Sequence, residues 1–352
     1  MSNKISVIGS VGIPAKYGGF ETLVHQMVRN LHTELSFTVY CSTKAYKERP
    51  RRFESARLRY IPLNANGAQS ILYDYLSIII SLFSKADVLL ILGVSGATIL
   101  PLVKLFSRKK VILHIDGLEW KRAKWSPKAR KFLKLSEKIG CRYSDVLIAD
   151  NKEIKTYIAR EYGLDSALIE YGADHIIKHT GERNGDEYAF SVCRIEPENN
   201  IHLILEAFSR SAVPLKLVGN WEHSDYGRNL LKEYAAFPNI TMLPPIYDQH
   251  RLDQLRANCK VYIHGHSAGG TNPSLVEAMF LKLPVIAFDV SYNRATTEEQ
   301  ALYFKETGEL TGILNGLSGI DLEGLAAKME QIAEQRYKWS IIAEKYKRIF
   351  TA

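Results

Sequence analysis

The chain has 352 residues, 46% hydrophobic and 24% charged, which is usual for a globular protein and enough for two domains of about 150 to 200 residues each. Its four cysteines are scattered without C-x-x-C pairs or neighbouring histidines, which argues against a zinc site or a disulfide framework and suits a reducing cytosol. A net charge of +8 favours acidic partners: nucleic acid, nucleotides or an anionic membrane face.

The first predicted element is a buried strand, Ile5 to Ile8, which runs directly into a glycine-rich loop, so we expect no signal peptide. A helix from about Glu21 to Leu31 follows. The loop lacks the spacing G-x-G-x-x-G, and this disfavours NAD binding. Gly18 and Gly19 directly precede the helix, with Lys16 beside them, which favours an anion-tolerant opening. A plain strand-to-helix turn is the alternative.

Strands and helices then alternate through the first half of the chain. This alternation predicts an α/β parallel-sheet domain with ligands at the carboxyl ends of its strands, where His114 and Asp116 lie. The further predicted strands are Phe37 to Cys41, Leu58 to Ile61, Val88 to Leu92, Val111 to His114 and Val146 to Ala149.

An apolar run from Ile71 to Phe83 is the longest in the chain. It is interrupted around Asp74 and is shorter than the ~20 residues that a transmembrane helix needs. The pattern predicts a buried or interfacial helix.

The stretch from Trp120 to Lys138 is dense in basic and aromatic residues and predicts one amphipathic helix. Such composition suits an anionic membrane surface, and the basic loop from Lys44 to Arg52 lies in the same half. The alternative is a solvated helix face whose tryptophans belong to the core.

Residues His179 to Glu187 are polar and predict a linker between domains at 1–180 and 181–336. A second alternating series begins with the strand Ala189 to Val192. The chain ends in two predicted helices, Leu325 to Glu334 and Tyr337 to Phe350.

The stretch from Val261 to Phe288 predicts a strand, a polar turn, a helix that begins after Pro273 and a second strand. The turn offers backbone and side-chain hydrogen-bonding groups at a helix N-terminus, which suits a phosphate. Glu277 lies one turn into the helix and leans back toward the same opening, where a carboxylate could hold a ribose diol. Alternatively, the loop merely turns the chain and Glu277 is a solvated acid.

Four motifs resemble bacterial rhamnosyltransferases of the retaining glycosyltransferase family 4, which have the GT-B fold. They are G-I-P-A-K-Y-G-G-F-E-T (12–22), H-I-D-G-L-E-W-K-R (114–122), V-C-R-I-E-P-E-N-N (192–200) and H-G-H-S-A-G-G-T-N-P-S-L-V-E-A-M (264–279). The resemblance implies two Rossmann-like domains facing a central cleft, with the last helix (337–352) packing back on the first domain. It also implies transfer of a sugar from a nucleotide diphosphate sugar with retention of configuration.

The resemblance assigns roles residue by residue. Arg194 would neutralise the donor phosphates, the start of the helix at Asn272 would face the pyrophosphate, and Glu277 would bind the ribose. The catalytic candidates are His114, Asp116 and Arg194. The donor-binding candidates are Gly18, Gly19, Arg194, Asn199, Gly219, Gly270, Thr271, Asn272, Pro273, Ser274, Leu275 and Glu277. The candidates for the acceptor or membrane side are Lys16, Tyr17, Phe20, Trp120, Lys121, Arg122, Lys124 and Trp125.

Two positions depart from the family pattern. Gly269 stands where an acid is common, which suggests a donor sugar that is read without that carboxylate, such as a deoxy sugar. Asn199 stands where a lysine is usual, so Lys16 or another cation would help Arg194 to neutralise the donor phosphates.

The resulting hypothesis is a rhamnosyltransferase of surface-polysaccharide or O-antigen synthesis. It would use dTDP-rhamnose or a UDP-sugar, without a metal ion, because arginine and a helix N-terminus can stabilise the pyrophosphate. We expect a lipid-linked glycan acceptor, an anionic membrane surface at the cytoplasmic face of the plasma membrane, and no nucleic acid partner. The alternatives are a nucleotide-sugar 2-epimerase and a non-catalytic nucleotide-sugar-binding partner.

Overall fold

The computed structural model describes residues 3–16, 18–122, 125–176 and 187–352. Tyr17, Lys124 and most of the predicted linker lie outside the described residues. The chain forms two compact units, Met1–Tyr171 with Trp339–Ala352, and Gly172–Lys338. The first unit thus ends before the predicted boundary at residue 180, which itself lies outside the described residues.

The first unit is an α/β sheet built from alternating strands and helices. In its described part the strand order is β3-β4-β2-β1-β5-β6-β7-β8, and only the β3–β4 pair is antiparallel. Its elements are β1 (Lys4–Ile8), α1 (Gly19–Leu31), β2 (Ser36–Ser42), β3 (Arg52–Phe53), β4 (Ala56–Ile61), α2 (Ser70–Leu82), β5 (Val88–Leu92), α3 (Leu100–Phe106), β6 (Lys110–Ile115), α4 (Pro127–Tyr143), β7 (Val146–Ala149), α5 (Lys152–Tyr162) and β8 (Ala167–Leu168).

The second unit has a parallel sheet of strand order β11-β10-β9-β12-β13-β14 within the described residues. Its elements are β9 (Ala189–Val192), α6 (Ile201–Ser209), β10 (Leu215–Val218), α7 (Asp225–Tyr234), β11 (Ile240–Leu243), α8 (Gln249–Ala257), β12 (Val261–His264), α9 (Pro273–Phe280), β13 (Val285–Phe288), α10 (Ser291–Thr296), β14 (Leu302–Phe304), α11 (Thr307–Asn315) and α12 (Leu322–Arg336). Buried side chains from its strands and flanking helices form one core, including Phe208, Leu217, Ile263 and Leu310.

The last helix, α13 (Trp339–Thr351), packs against α1 of the first unit. Its apolar stripe is buried and includes Trp339, Ile342, Tyr346 and Phe350. The ring of Phe350 meets Phe37 at 6.3 Å between centroids, and Lys345 pairs with the buried Glu170 at 2.6 Å. The final helix is therefore part of the structure of the first unit.

The predicted α/β class with two parallel-sheet domains is confirmed, and the predicted strands agree with the observed ones to within one or two residues. The central strands are buried along their whole length, because helices cover both faces of a parallel sheet, and this makes them continuous apolar runs.

The prediction of a single helix from Trp120 to Lys138 is wrong. Glu119–Lys121 forms a short 3-10 turn, and α4 begins only at Pro127, with Ser126 as its N-cap accepting a hydrogen bond from Ala129 N at 3.3 Å. Proline fits the first helical turn but not a helix interior, so Pro127 marks a start. The structure also contains α10, α11 and β14, which the sequence pattern did not predict.

Candidate functional site

The turn after β12 leads into α9 through a side-chain cap. Asn272 Oδ1 accepts hydrogen bonds from Ser274 N at 3.0 Å and from Ser274 Oγ at 2.9 Å, and Asn272 O accepts one from Leu275 N at 3.1 Å. Pro273 has no N–H and occupies the first helical position. The predicted unpaired N–H groups at this helix start therefore have internal acceptors. The side chains of Thr271 and Leu275 are buried.

The loops after the neighbouring strands β9 and β12 are cross-linked. Asn199 Nδ2 donates to Arg194 O at 2.7 Å, and Asn199 Oδ1 lies 2.7 Å from Nδ1 of His266. Ser267 N donates to Glu198 O at 2.9 Å. Asn199, which stands where a lysine is usual in the family pattern, joins the arginine loop to the loop that leads into α9.

Arg194 is exposed at the end of β9, where a guanidinium can meet an incoming anion. Gly219, after β10, packs directly against this loop, because an added Cβ would lie 2.4 Å from Ile195 Cδ1. Gly265 plays the same part after β12, since its Cβ would lie 2.1 Å from Asn199 O. These glycines allow the strand ends to approach one another.

Gly269 has a φ of 103°, a backbone conformation that other residues rarely adopt. The absence of the family's acid at this position therefore goes together with a turn geometry that an acidic residue would strain. Gly270 follows it and is half-buried.

Glu277 does not stand free at the opening. Its Oε2 lies 2.9 Å from Nη2 of Arg256, whose Nη1 is 3.2 Å from Asp253. Burial raises the pKa of the Glu277 carboxyl, and the Arg256 guanidinium opposes that rise. The Nε2 atom of His175 is 3.5 Å from Glu277 Oε1, but burial lowers the pKa of His175 to about 4, so this ring is neutral at pH 7. Glu277 keeps 13% side-chain exposure, which leaves an edge for a ligand.

In the first unit, the glycine-rich loop is held by a carboxylate. Glu21, in the first turn of α1, accepts a hydrogen bond from Val11 N at 2.6 Å through Oε1. Gly18 is the N-cap residue with φ 122°, and an added Cβ would lie 2.0 Å from Glu21 Oε2. The predicted anion-tolerant opening at Gly18 and Gly19 therefore already has a carboxylate beside it. Lys16 donates to Ala45 O at 3.2 Å and lies over the Tyr46 ring.

His114 lies at the end of β6 and is only 3% exposed. Its Nδ1 is 2.9 Å from the Tyr346 hydroxyl of α13, and Phe20 packs edge-on against its ring at 5.4 Å. Burial lowers the pKa of His114 to about 3, so the ring is neutral at physiological pH. Its Nε2 atom is buried without a hydrogen-bond partner among the described residues. Asp116, two residues on, is exposed.

The tryptophans after β6 are engaged with neighbouring side chains. Trp125 Nε1 donates to Glu119 at 2.8 Å, and Arg122 bonds the other oxygen of that carboxylate at 3.2 Å. Lys134 of α4 lies 4.6 Å from the Trp120 ring centre. A surface pocket of about 500 Å³ is lined by Trp120, Lys121, Arg130, Lys131 and Lys134. The predicted basic, aromatic element is thus a folded pocket wall rather than one continuous helix.

Several residues of these sites were not predicted from the sequence. Tyr346, which the sequence placed only within the predicted last helix, contacts His114 from a distant part of the chain. Arg256 and His175 lie outside the motifs, and His266 lies within the last motif without an assigned role. They become neighbours of Glu277 and Asn199 only through the fold. Among the described residues, no group of three or more His, Cys, Asp or Glu side chains could hold a metal ion.

Two family models match the chain, one for each half. Residues 2–174 match a model described as "Domain of unknown function (DUF1972)", and residues 173–338 match "Glycosyl transferases group 1". No curated protein sequence matches the chain significantly.

The chain is also similar to solved structures over nearly its full length. Sucrose-phosphate synthase from Thermosynechococcus elongatus matches with a TM-score of 0.83 at 17% identity, covering 99% of this chain and 98% of that chain. HepE of Anabaena in complex with UDP matches with a TM-score of 0.76 at 14% identity and 99% coverage of both chains. Trehalose-6-phosphate synthase from Burkholderia multivorans matches with a TM-score of 0.72 at 12% identity, covering 100% of this chain and 96% of that chain.

At such identities the structural matches establish the fold. Two parallel-sheet units with this connectivity, matched end to end by these structures, constitute the GT-B fold. The chain therefore has the GT-B fold, and its second unit matches the family described as "Glycosyl transferases group 1".

Proposed function

We propose that this protein transfers a sugar, with rhamnose as the first candidate, from a nucleotide diphosphate sugar to a lipid-linked glycan acceptor. The observation that carries the proposal is the arrangement in the second unit. The capped start of α9 follows a loop that Asn199 ties to the Arg194 loop, and Glu277 projects from the same helix. A phosphate-binding site and a carboxylate that can bind the ribose hydroxyls are the two elements needed to bind a nucleotide.

The pyrophosphate leaving group needs its developing charge stabilised. The guanidinium of Arg194, the hydroxyl of Ser274 and the positive end of the α9 dipole supply this electrostatic term. The Asn272 side chain would rotate away from Ser274 N to let a phosphate oxygen accept that hydrogen bond. We propose that these groups act without a divalent metal ion.

His114 has a role that its surroundings support. Tyr346 keeps its proton, because burial raises the pKa of this phenol well above its usual value. With the phenol donating to Nδ1, the imidazole carries its hydrogen on Nε2, and this buried atom has no partner among the described residues. A buried donor without a partner is costly, so we propose that Nε2 binds a hydroxyl group of a sugar substrate. Asp116 would orient the acceptor.

The choice of donor rests on two observations. HepE of Anabaena has been solved with UDP and with UDP-glucose, which supports a nucleotide diphosphate sugar as the donor class. In this chain Gly269 replaces the acid expected by family resemblance, and a deoxy sugar such as rhamnose has one hydroxyl fewer to bind. We therefore propose dTDP-rhamnose, with a UDP-sugar as the second choice, and transfer with retention.

The lipid-linked acceptor is supported by the basic pocket of the first unit. Its cationic residues, among them Lys121, Arg130 and Lys131, suit an anionic lipid carrier group, and the Trp120 ring adds an aromatic wall. We propose a peripheral position on the cytoplasmic face of the plasma membrane, in polysaccharide or O-antigen synthesis.

The donor is tested by thermal unfolding of the purified chain with a panel of nucleotides and nucleotide sugars. A ligand at 100 times its dissociation constant adds about 2.7 kcal/mol to the free energy of unfolding. Stabilisation by dTDP-rhamnose beyond that by dTDP alone is the expected result. No stabilisation by any nucleotide sugar would contradict the proposal.

The reaction is tested with membrane lipid extracts as acceptor. We expect radiolabelled sugar in the lipid fraction, an unchanged rate with EDTA, and an anomeric configuration in the product equal to that of the donor by NMR. Activity that disappears with EDTA and returns with manganese would refute metal independence. Conversion of the donor alone, without acceptor, would indicate the epimerase.

A further inference from the structure

Helix α2 carries apolar side chains on both its buried and its exposed faces. Its buried face carries Tyr73 and Ile78 together with Asp74, Ser77 and Ser81, and its exposed face is apolar. The exposed apolar positions are Leu72, Leu76, Ile79 and, directly after the helix, Phe83. Their spacing places them on one stripe along the helix. A helix of a globular domain ordinarily buries its apolar stripe, so the exposed stripe on α2 indicates an interaction surface.

Helix α3 extends this apolar surface. Leu102 is exposed, and Leu105 and Phe106 are 72% and 76% exposed, compared with 88% for Phe83. We call the exposed apolar side chains of these two segments the α2–α3 face. Its members are Leu72, Leu76, Ile79, Phe83, Leu102, Leu105 and Phe106.

Direct contacts hold the two segments together. Ser95 bonds the carboxylate of Asp74, and Tyr75 bonds Thr98, in the turn that runs straight into α3. At the other end, Lys109 Nζ donates to Ser84 O at 2.8 Å and to Ala86 O at 2.5 Å. These bonds tie α2 to the segments before and after α3, so the two helices are neighbours.

The exposed charges beside this face are mainly basic. Lys85 and Arg108 are exposed directly beside Phe83 and Phe106. Between residues 70 and 110 the acids are Asp74, which is buried, and Asp87, whose carboxylate accepts a hydrogen bond from Lys4 N at 2.9 Å. Helix α4, which carries the pocket residues Arg130, Lys131 and Lys134, packs against α3. An apolar face with a basic rim is complementary to a surface that is apolar inside and anionic outside.

These observations discriminate between occupants. In a symmetric dimer through this face, each copy would bring Lys85 and Arg108 to the interface, and Asp87 is the one exposed acid between residues 70 and 110. A membrane-spanning role does not fit, because within the described residues no helix is long and apolar enough to cross a bilayer. A helix with a strong apolar face and basic flanks suits the interface of an anionic bilayer.

We propose that the α2–α3 face lies in the headgroup region of an anionic phospholipid bilayer, with Phe83, Leu105 and Phe106 inserted and Lys85 and Arg108 at the phosphates. The inference rests on the membrane-associated acceptor proposed above. It also changes the assignment made from the sequence, since the tryptophans after β6 are held by neighbouring side chains and the exposed apolar contact comes from α2 and α3.

The test is flotation of the full chain with vesicles of phosphatidylcholine alone or of phosphatidylcholine mixed with phosphatidylglycerol, without donor or acceptor. We expect the wild type to float only with the anionic vesicles. The double variant Phe83→Ser/Phe106→Ser should reduce the bound fraction on the order of tenfold or more. Lys85→Gln and Arg108→Gln should each weaken partitioning by about fivefold, and added salt should reproduce their effect.

Matched controls come from the second unit. Tyr247→Ser removes an aromatic side chain that is 72% exposed, and Lys305→Gln removes an exposed cation; both should float like the wild type. Circular dichroism and thermal stabilisation by UDP or dTDP should be unchanged in the Phe83→Ser/Phe106→Ser variant. If nucleotides do not stabilise the wild type, the proposed function is contradicted. Flotation of the wild type tests the membrane face independently of that result.

Three results would overturn the inference. The first is a wild type that does not float with anionic vesicles. The second is flotation that the Phe83→Ser/Phe106→Ser variant leaves unchanged. The third is a wild-type dimer in solution that this variant converts to a monomer, which would assign the face to a second copy of the chain.

Discussion

Arg256 Nη2 lies 2.9 Å from Glu277 Oε2, and the guanidinium side chain is only 2% exposed. The pair is the contact between α8 and the helix that begins at the proposed pyrophosphate site. Asp253, one turn before Arg256, completes a buried cluster of one cation and two carboxylates. This cluster holds the Glu277 carboxylate at the orientation in which we propose that it meets a ribose.

Replacing Arg256 with Met should therefore impair nucleotide binding through Glu277. Breaking a buried ion pair from one side leaves an uncompensated charge, which costs roughly 3–5 kcal/mol of stability. We expect nucleotide affinity, measured by calorimetry at a temperature where the variant is folded, to fall at least about tenfold, because Glu277 loses its support.

The exposed pair Arg228–Asp225, at 2.6 Å, is the control, and Arg228→Met should cost less than about 1 kcal/mol. In a Glu277→Gln background, Arg256→Met should add little further loss of affinity. Full additivity of the two losses would show that Arg256 does not act through Glu277.

Changing Asn272 to Asp should weaken nucleotide binding while preserving α9. Aspartate is as good an N-cap as asparagine, but its charge would stand where we place a phosphate and repel it. We expect on the order of a tenfold or greater rise in the dissociation constant for UDP or dTDP. Asn151 caps α5 in the same way, accepting from Glu153 N at 2.9 Å, so Asn151→Asp is the matched control. Equal nucleotide affinities for the two variants would show that the phosphate does not bind at this helix start.

Gly18→Ala should disrupt the clamp on the glycine-rich loop. The added Cβ would lie 2.0 Å from Glu21 Oε2, so the carboxylate that accepts from Val11 N would have to shift, and the φ of 122° would strain an alanine. Gly67 also has a positive φ, of 74°, but open space around it, and Gly67→Ala should cost only about 1 kcal/mol of backbone strain. Urea unfolding should show at least about 2 kcal/mol more destabilisation for Gly18→Ala. Equal costs would mean that the clamp contributes little.

His114 should make the stability of the first unit sensitive to acid. Its pKa is about 3 in the folded chain and near 6.5 when unfolded, so between these values the unfolded state binds more protons. Above pH 6.5 the buried imidazole leaves the free energy of unfolding unchanged. As the pH falls below 6.5 this free energy decreases, by about 2 kcal/mol at pH 5. His114→Gln keeps a polar group for Tyr346 but cannot titrate. The stability difference between wild type and variant, from urea unfolding, should therefore shift by that amount in favour of the variant between pH 7.5 and pH 5, and a constant difference would contradict a buried neutral imidazole.

Removal of α13 should unfold the first unit. The helix buries Trp339, Ile342, Tyr346 and Phe350, which together contribute roughly 6–12 kcal/mol of burial energy, comparable to the whole stability of a domain. A chain ending at Lys338 should be insoluble or should lose the unfolding transition of this unit in calorimetry. A synthetic peptide of residues 339–352 added in trans should restore it, and a stable truncated chain would show that the helix is dispensable.

Much of the fold could be predicted from residue order because parallel strands buried on both faces form continuous apolar runs. Val88–Leu92 and Val261–His264 are such runs, and their alternation with helices left little choice of fold class. The helix after Asn272 could be placed because its cap and Pro273 are local signals. The prediction of one helix from Trp120 to Lys138 was wrong because it relied on composition. Composition does not reveal where a helix begins, and here Ser126 and Pro127 set that start.

The sequence by itself determined the two α/β units, the polar turn and capped start of α9, and the presence of Arg194 and Glu277. The tertiary structure alone decided what those residues contact. Arg256 reaches Glu277, Tyr346 reaches His114, and the apolar side of α2 faces outward. Local patterns report which backbone a segment prefers, whereas partners distant in sequence are chosen by packing. A buried arginine, a neutral histidine and an exposed apolar stripe are therefore visible only once the chain has folded.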